Sequence, residues 1–189
     1  MSIIQTTEPD EATGHIAEVY AKETAERGSV AEYTRVMSVN PEAYAAWESL
    51  IRAIVAQLGK RRFELVTLAA AQGTHSAHCR LAHGRKTLPL IDEDQLIRIA
   101  RDYRDADLSE AEVAMMEYAE RLSTDAPDMT EDDSLHLRAV GFTDREIVDI
   151  TLAAAARNYF SKAIQALAVD VEVPPGMSDR LRGALLSTI

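Results

Sequence analysis

The run Arg62-Phe63-Glu64-Leu65-Val66-Thr67-Leu68-Ala69-Ala70-Ala71-Gln72-Gly73-Thr74-His75-Ser76-Ala77-His78-Cys79-Arg80-Leu81-Ala82-His83 decides the fold. Its first half is apolar over about three turns and stops at Gly73, which predicts a helix from about Arg62 to Gln72. Its second half predicts another helix, from near Thr74–Ser76 to about Leu88, before Pro89. Two helices joined by so short a turn form a hairpin, and the rest of the chain reads in the same style. An amphipathic stretch covers Glu11 to Arg27, with Ile16, Val19 and Tyr20 on one face. Asn40-Pro41 supplies an N-cap and a first-turn proline to a helix that ends at Gly59. Asp92 to Gln95, Ser109 to Glu112 and Thr143 to Glu146 read as capping boxes, each before an apolar run. The longest run, Thr143 to Val169, is expected to break near Arg157-Asn158, and Pro174-Pro175-Gly176 sets off a C-terminal segment. No alternating strand pattern is present, so the fold class is all-α.

Composition agrees. The chain has 189 residues, enough for a single domain over 1–189, and 47% of them are apolar. Aromatics are only 5%, and alanine is abundant, which favours helices packed through small residues over a β-sandwich. Twenty basic against 31 acidic residues give a formal net charge of −11, a field that repels nucleic acid and anionic membrane surfaces. No stretch reaches the ~18 apolar residues of a membrane span, and the acidic start MSIIQTTEPDEATG does not read as a signal peptide. The expected location is cytoplasmic. A single cysteine, Cys79, excludes an intrachain disulfide and the common four-ligand structural zinc sites. Thr67-Leu-Ala-Ala-Ala71 recurs as Thr151-Leu-Ala-Ala-Ala155, which suggests a duplicated helical hairpin with halves at about 10–90 and 91–175. The second copy carries Tyr159, Phe160, Ala163 and Leu167 where the first has His75, Ser76, Cys79 and His83, so chemistry is expected in the first copy.

On a helix, Ser76, Cys79 and His83 share one face. A helix N-terminus and a neighbouring imidazole both lower a thiol pKa, and both are expected at Cys79. Glu64, set among Phe63, Leu65, Val66 and Leu68, needs a partner if it enters a helix interface, and His83 on the facing helix can be that partner. Glu64–His83–Cys79 then forms an orienter, base and nucleophile. Blander readings stand beside this one. A lone cysteine is usually a small buried hydrophobe, and Glu64 alone is most often solvated or paired with Arg61 or Arg62. His75, His78 and His83 surround Cys79 in sequence, but a ladder of His75, Cys79 and His83 on one helix offers no fourth ligand, so no metal and no cofactor are expected.

Glu64, eleven residues, Ser76, two residues, Cys79, three residues and His83 resemble the motif of the alkylhydroperoxidase D family, which also includes carboxymuconolactone decarboxylases. The motif reads Glu-x11-Cys-x2-Cys-x3-His. Ala12 to Tyr20, Asn40 to Trp47 and the Asn158-Tyr159-Phe160 region resemble its peroxidase-related branch. The resemblance implies an all-α duplicated fold, thiol-dependent reduction of hydroperoxides, and a homo-oligomer that we expect to be a dimer, trimer or hexamer. Carried over, Cys79 is the reactive thiol, His83 the proton shuttle and Glu64 its partner, with His78 and His75 as secondary candidates. Ser76 stands where the family has its first cysteine. Serine cannot form the disulfide, so Cys79 would be oxidised to a sulfenic acid and reset by an external thiol. Two alternatives remain: an acid/base decarboxylase or lactone enzyme using Glu64 and His83, and a non-catalytic oligomeric redox sensor.

Overall fold

A computed structural model describes residues 2–187. Among them are ten α-helices and no strand: α1 Gly14–Arg27, α2 Glu32–Met37, α3 Pro41–Leu58, α4 Lys60–Gly73, α5 Ala77–Thr87, α6 Glu93–Asp102, α7 Glu110–Asp125, α8 Glu131–Ala139, α9 Asp144–Ala166 and α10 Asp179–Leu186. No described helix is long and apolar enough to cross a membrane.

The apolar run of the opening stretch becomes α4, and α4 is the centre of the molecule. Every residue from Phe63 to Ala71 is buried, Glu64 included, because α3, α5, α7 and α9 pack around it. Helices hydrophobic on all sides belong in such a position. Asn40 caps α3 through Oδ1, which accepts from the Ala43 amide at 3.0 Å, and Gly59, at φ +82°, turns the chain straight into α4. At the far end of α4, Gly73 lets α7 approach: a Cβ there would lie 2.8 Å from the Glu120 carbonyl oxygen and from Ser123 Cβ. Arg80, inside the motif, is structural. Its buried guanidinium donates to the Leu185 carbonyl at 3.0 Å, Gln72 Oε1 at 2.5 Å and the Ala100 carbonyl at 2.6 Å, tying α5 to α10, α4 and α6.

The boxes at Ser109 and Thr143 form as read. The one at Asp92 is half made. Asp92 accepts from the Gln95 amide, but the Gln95 side chain donates to the Ala106 and Asp107 carbonyls instead. Two short helices, α2 and α8, were not legible as separate elements.

The expected duplication takes a different shape. The two Thr-Leu-Ala-Ala-Ala runs lie on α4 and α9, which pack against each other. After the first run the chain breaks at Gly73 and turns. After the second, α9 continues unbroken through residues 157–160. Arg157 occupies the place of Gly73, and nothing there supplies a turn residue or a new cap. The second copy is therefore one long helix, not a hairpin, and the predicted break near Arg157-Asn158 is absent.

Candidate functional site

The turn from α4 to α5 sets the site. His75 takes the left-handed conformation, φ +51°, and Ser76 follows as the N-cap of α5, its hydroxyl accepting from the Cys79 amide at 3.4 Å. Cys79 thus sits in the first turn of α5, where the helix dipole favours a negative charge. Ser76, Cys79 and His83 are all buried, Cys79 at 2% exposure.

Glu64 and His83 meet as the spacing predicts. His83 Nδ1 lies 2.6 Å from Glu64 Oε2, and both side chains are almost fully enclosed. Burial pushes the imidazole pKa down to about 3, aided by the Arg157 charge and opposed by Glu64, so His83 is neutral at neutral pH. Burial pushes the Glu64 carboxyl up, but His83, Lys86 and Arg157 outweigh it and hold the group below the usual carboxylate range. An ionised Glu64 only accepts, so the His83 proton belongs on Nδ1 and Nε2 keeps its lone pair.

The second link of the expected relay is different. Among the described residues no hydrogen bond to Cys79 Sγ comes from His83; α9 supplies two, Ser161 Oγ donating at 3.2 Å and Arg157 Nη1 at 3.4 Å, and the Ser76 hydroxyl also acts on the thiol. Burial raises the thiol pKa. The Arg157 charge and the Ser161, Ser76 and Arg157 hydrogen bonds overcome that and hold it below its ordinary value. Arg157 has no carboxylate within ion-pair distance among the described residues; its guanidinium lies 5.4 Å from the Phe160 ring centre and 6.0 Å from that of Trp47. The expectation that chemistry lies in the first copy alone is therefore corrected: the second copy supplies two of the groups on the sulfur. A signal existed. Arg157 interrupts the apolar face formed by Ala153, Ala156, Phe160 and Ile164, as Glu64 interrupts its own.

Cys79, His83, Lys86 and Arg157 all open on one cavity of about 490 Å³. Tyr33, Tyr44, Trp47 and Phe160 give it aromatic walls, with Trp47 and Phe160 ring centres 4.6 Å apart. His78 lines it too, edge-on to Tyr33 at 5.2 Å, kept neutral by burial and with Nε2 buried and unpartnered. His75 does not join the site: it is exposed in the turn, where its carbonyl accepts from Gln165.

No family model and no curated protein sequence matches the chain. Solved structures do. An uncharacterised peroxidase-related protein with an alkylhydroperoxidase AhpD core, from Ralstonia eutropha JMP134, superposes with a TM-score of 0.79 at 20% identity, over 97% of this chain and 96% of that one. A peroxidase-related protein from Silicibacter sp. TM1040 gives 0.75 at 21% identity, over 90% and 95%. A cysteine-to-alanine variant of the debrominase Bmp8, in complex with 2,3,4-tribromopyrrole, gives 0.78 at 15% identity, over the whole of both chains. At these identities the likeness is one of fold, and the fold of this chain is alkylhydroperoxidase D-like.

Proposed function

We propose that this chain, on its alkylhydroperoxidase D-like fold, is a single-cysteine, thiol-dependent oxidoreductase that reduces hydroperoxides through Cys79. The observation that carries the reading is the buried Arg157 guanidinium, 3.4 Å from Cys79 Sγ and without a carboxylate partner among the described residues. A buried cation needs a counter-charge, and a thiolate supplies one. With His83 neutral, the Cys79 thiolate and the Glu64 carboxylate then balance Arg157 and Lys86.

The chemistry follows from these groups. Cys79 stands as the thiolate, its proton given up to solvent, and neutral His83, oriented by Glu64 at Nδ1, keeps a free Nε2 for proton relay. The thiolate attacks the terminal oxygen of R–O–OH, an S–O bond forms and the O–O bond breaks. The departing alkoxide takes a proton from solvent, relayed through His83 Nε2, and leaves as ROH, and Cys79 becomes a sulfenic acid. The Ser76 and Ser161 hydroxyls and the Arg157 guanidinium remain to stabilise each anionic stage. Ser76 offers no second sulfur, so an external thiol completes the cycle. The acid/base decarboxylase alternative uses Glu64 and His83 but leaves the Cys79–Arg157 contact without a role.

One equivalent of an organic hydroperoxide added to the reduced protein tests this by intact mass. The expected result is a gain of one oxygen that Cys79→Ala abolishes, with peroxide consumption that continues only when a thiol is added. Folded protein whose Cys79 stays unmodified would refute the reading.

A second reading has its own support. The cavity is far larger than a peroxide group and its aromatic walls suit a planar ring, and a structural neighbour of the same fold is a debrominase. In that case the thiolate takes a halogen from the ring as a proton replaces it, and two equivalents of external thiol restore Cys79. Bromide release from a bromopyrrole with added thiol distinguishes the two.

A further inference from the structure

We propose that a second, smaller cavity beside the site is the entry for a low-molecular-weight thiol bearing carboxylate groups, which resets oxidised Cys79; the proposal rests on the thiol-dependent reading above. This cavity, about 250 Å³, lies between α1, α5, Lys60 at the start of α4 and the Pro174-Pro175 turn. It shares Glu23, Glu26, Tyr33, His78, Ala82 and Lys86 with the cavity that holds Cys79, so the two are adjoining chambers.

Its charge is the first argument. Among the described residues Lys60 and Lys86 have no ion-pair or hydrogen-bond partner, and Arg85 donates only to the Pro175 carbonyl, at 3.1 Å. Of the acids opposite, Glu23 and Glu172 share the single Arg27, at 3.5 and 3.2 Å, and Glu26 forms no ion pair among the described residues. Four cations, Arg27, Lys60, Arg85 and Lys86, face three carboxylates there, and Lys60 and Arg85 are the two with no carboxylate of their own, so the opening carries a net positive charge in a chain of net charge −11 and favours an anion at those two residues. The second argument is His78. Its side chain is 94% buried, being 6% exposed, it faces both chambers, and its Nε2 has no partner. A buried ring nitrogen left unsatisfied points to a missing polar ligand. The third is access. Cys79 is 2% exposed, so the cysteine of a protein reductant cannot reach it, and Ala82, one helical turn from Cys79, lines both cavities and marks the route proposed for a small thiol.

The reductant's carboxylates sit at Lys60 and Arg85 while its sulfur travels inward. Cys79–SOH and R–SH give Cys79–S–S–R and water. A second R–SH then attacks the mixed disulfide, releasing R–S–S–R and returning Cys79–SH.

S-methylglutathione, which carries two carboxylates and has no free thiol, tests the mouth by calorimetric titration of the reduced protein. The expected result is one saturable site, weakened about tenfold by Lys60→Glu or Arg85→Glu and weakened further by salt. Both residues are exposed, so these variants fold. A second measurement follows thiol recovery after peroxide with glutathione and with 2-mercaptoethanol: the charge reversals slow the first and spare the second. Absence of saturable binding, or binding and recovery indifferent to both reversals, overturns the proposal. Failure of Cys79 to oxidise at all would instead remove the functional reading, and the titration would still report on the mouth.

Discussion

Replacing Arg157 with Gln removes the cation on the sulfur while keeping an amide that donates. The guanidinium nitrogen stands 3.4 Å from Cys79 Sγ, where unit charges attract by about 1.2 kcal/mol in a water-like dielectric and about 5 kcal/mol at an effective dielectric of about 20. At about 1.36 kcal/mol per pKa unit, those two limits correspond to a rise in the thiol midpoint of about 0.9 to about 3.6 on loss of the charge. The assay is the rate of iodoacetamide alkylation against pH, read at its midpoint. A single-pH rate would mislead, because a more basic thiolate is also intrinsically more nucleophilic, which offsets about half of the loss in thiolate fraction. The wild-type midpoint should lie below the ordinary ~8.5, move up in Arg157→Gln and stay low in Arg157→Lys. The same substitution should raise the His83 titration above its value of about 3, since Arg157 is one of the charges holding it down. Folded Arg157→Gln protein with an unmoved Cys79 midpoint would refute the argument that Arg157 is the counter-charge.

Three further outcomes follow from the same geometry. Folded His83 titrates at about 3 against ~6.5 in the unfolded chain, so the unfolded chain takes up the proton first: stability is complete above pH ~6.5 and falls as pH is lowered toward 3. By pH ~5 this group alone costs about 2 kcal/mol, and the lowered Glu64 carboxyl adds loss of the same sign at lower pH; urea melts of His83→Gln should show a flatter slope, and an equal slope would count against a buried neutral imidazole. Ser76→Cys restores the second sulfur of the family motif at a cost of about 1 kcal/mol for the lost cap, and mass spectrometry should find an intramolecular disulfide after peroxide; a variant that folds and stays a dithiol means the two side chains do not converge. Val148, Leu152 and Tyr159 are 52%, 42% and 51% exposed along one stripe of α9, so the expected homo-oligomer should be dissociated by Leu152→Glu; a wild-type sedimentation mass of only 20.8 kDa would end that expectation.

The parts of the site legible in the sequence are those separated by a few turns of helix. Ser76, Cys79 and His83 stand on consecutive turns of one helix, and Glu64 reaches His83 because Gly73 to Ser76 folds α5 back onto α4. Spacing alone carries that much. Arg157 and Ser161 lie 78 and 82 residues from Cys79, and only the packing of α9 on α4 brings them to the sulfur. The repeat pointed the wrong way here. It sets Arg157 opposite Gly73 and so implies a matched turn where the chain is continuous helix. Local pattern shows that a position is on a buried face, but which buried faces meet is set by tertiary packing. The aromatic walls from α2, α3 and α9 were hidden for the same reason.

The contrast between an inert buried cysteine and this one is a matter of what surrounds the sulfur. Burial by itself keeps a thiol protonated. Here the same burial traps a guanidinium whose desolvation costs several kcal/mol unless an anion faces it. Protonating Cys79 would leave Arg157 with only the more distant Glu64 carboxylate acting on it, so the protein is more stable with the thiolate than burial alone would allow, and the free energy that offsets Arg157 is what makes the sulfur reactive. Ser76 fits this arrangement. With the charge supplied from α9, the N-cap position of α5 needs only a hydroxyl that accepts from the Cys79 amide. A second cysteine there would add a route to a disulfide, but the thiolate does not depend on it.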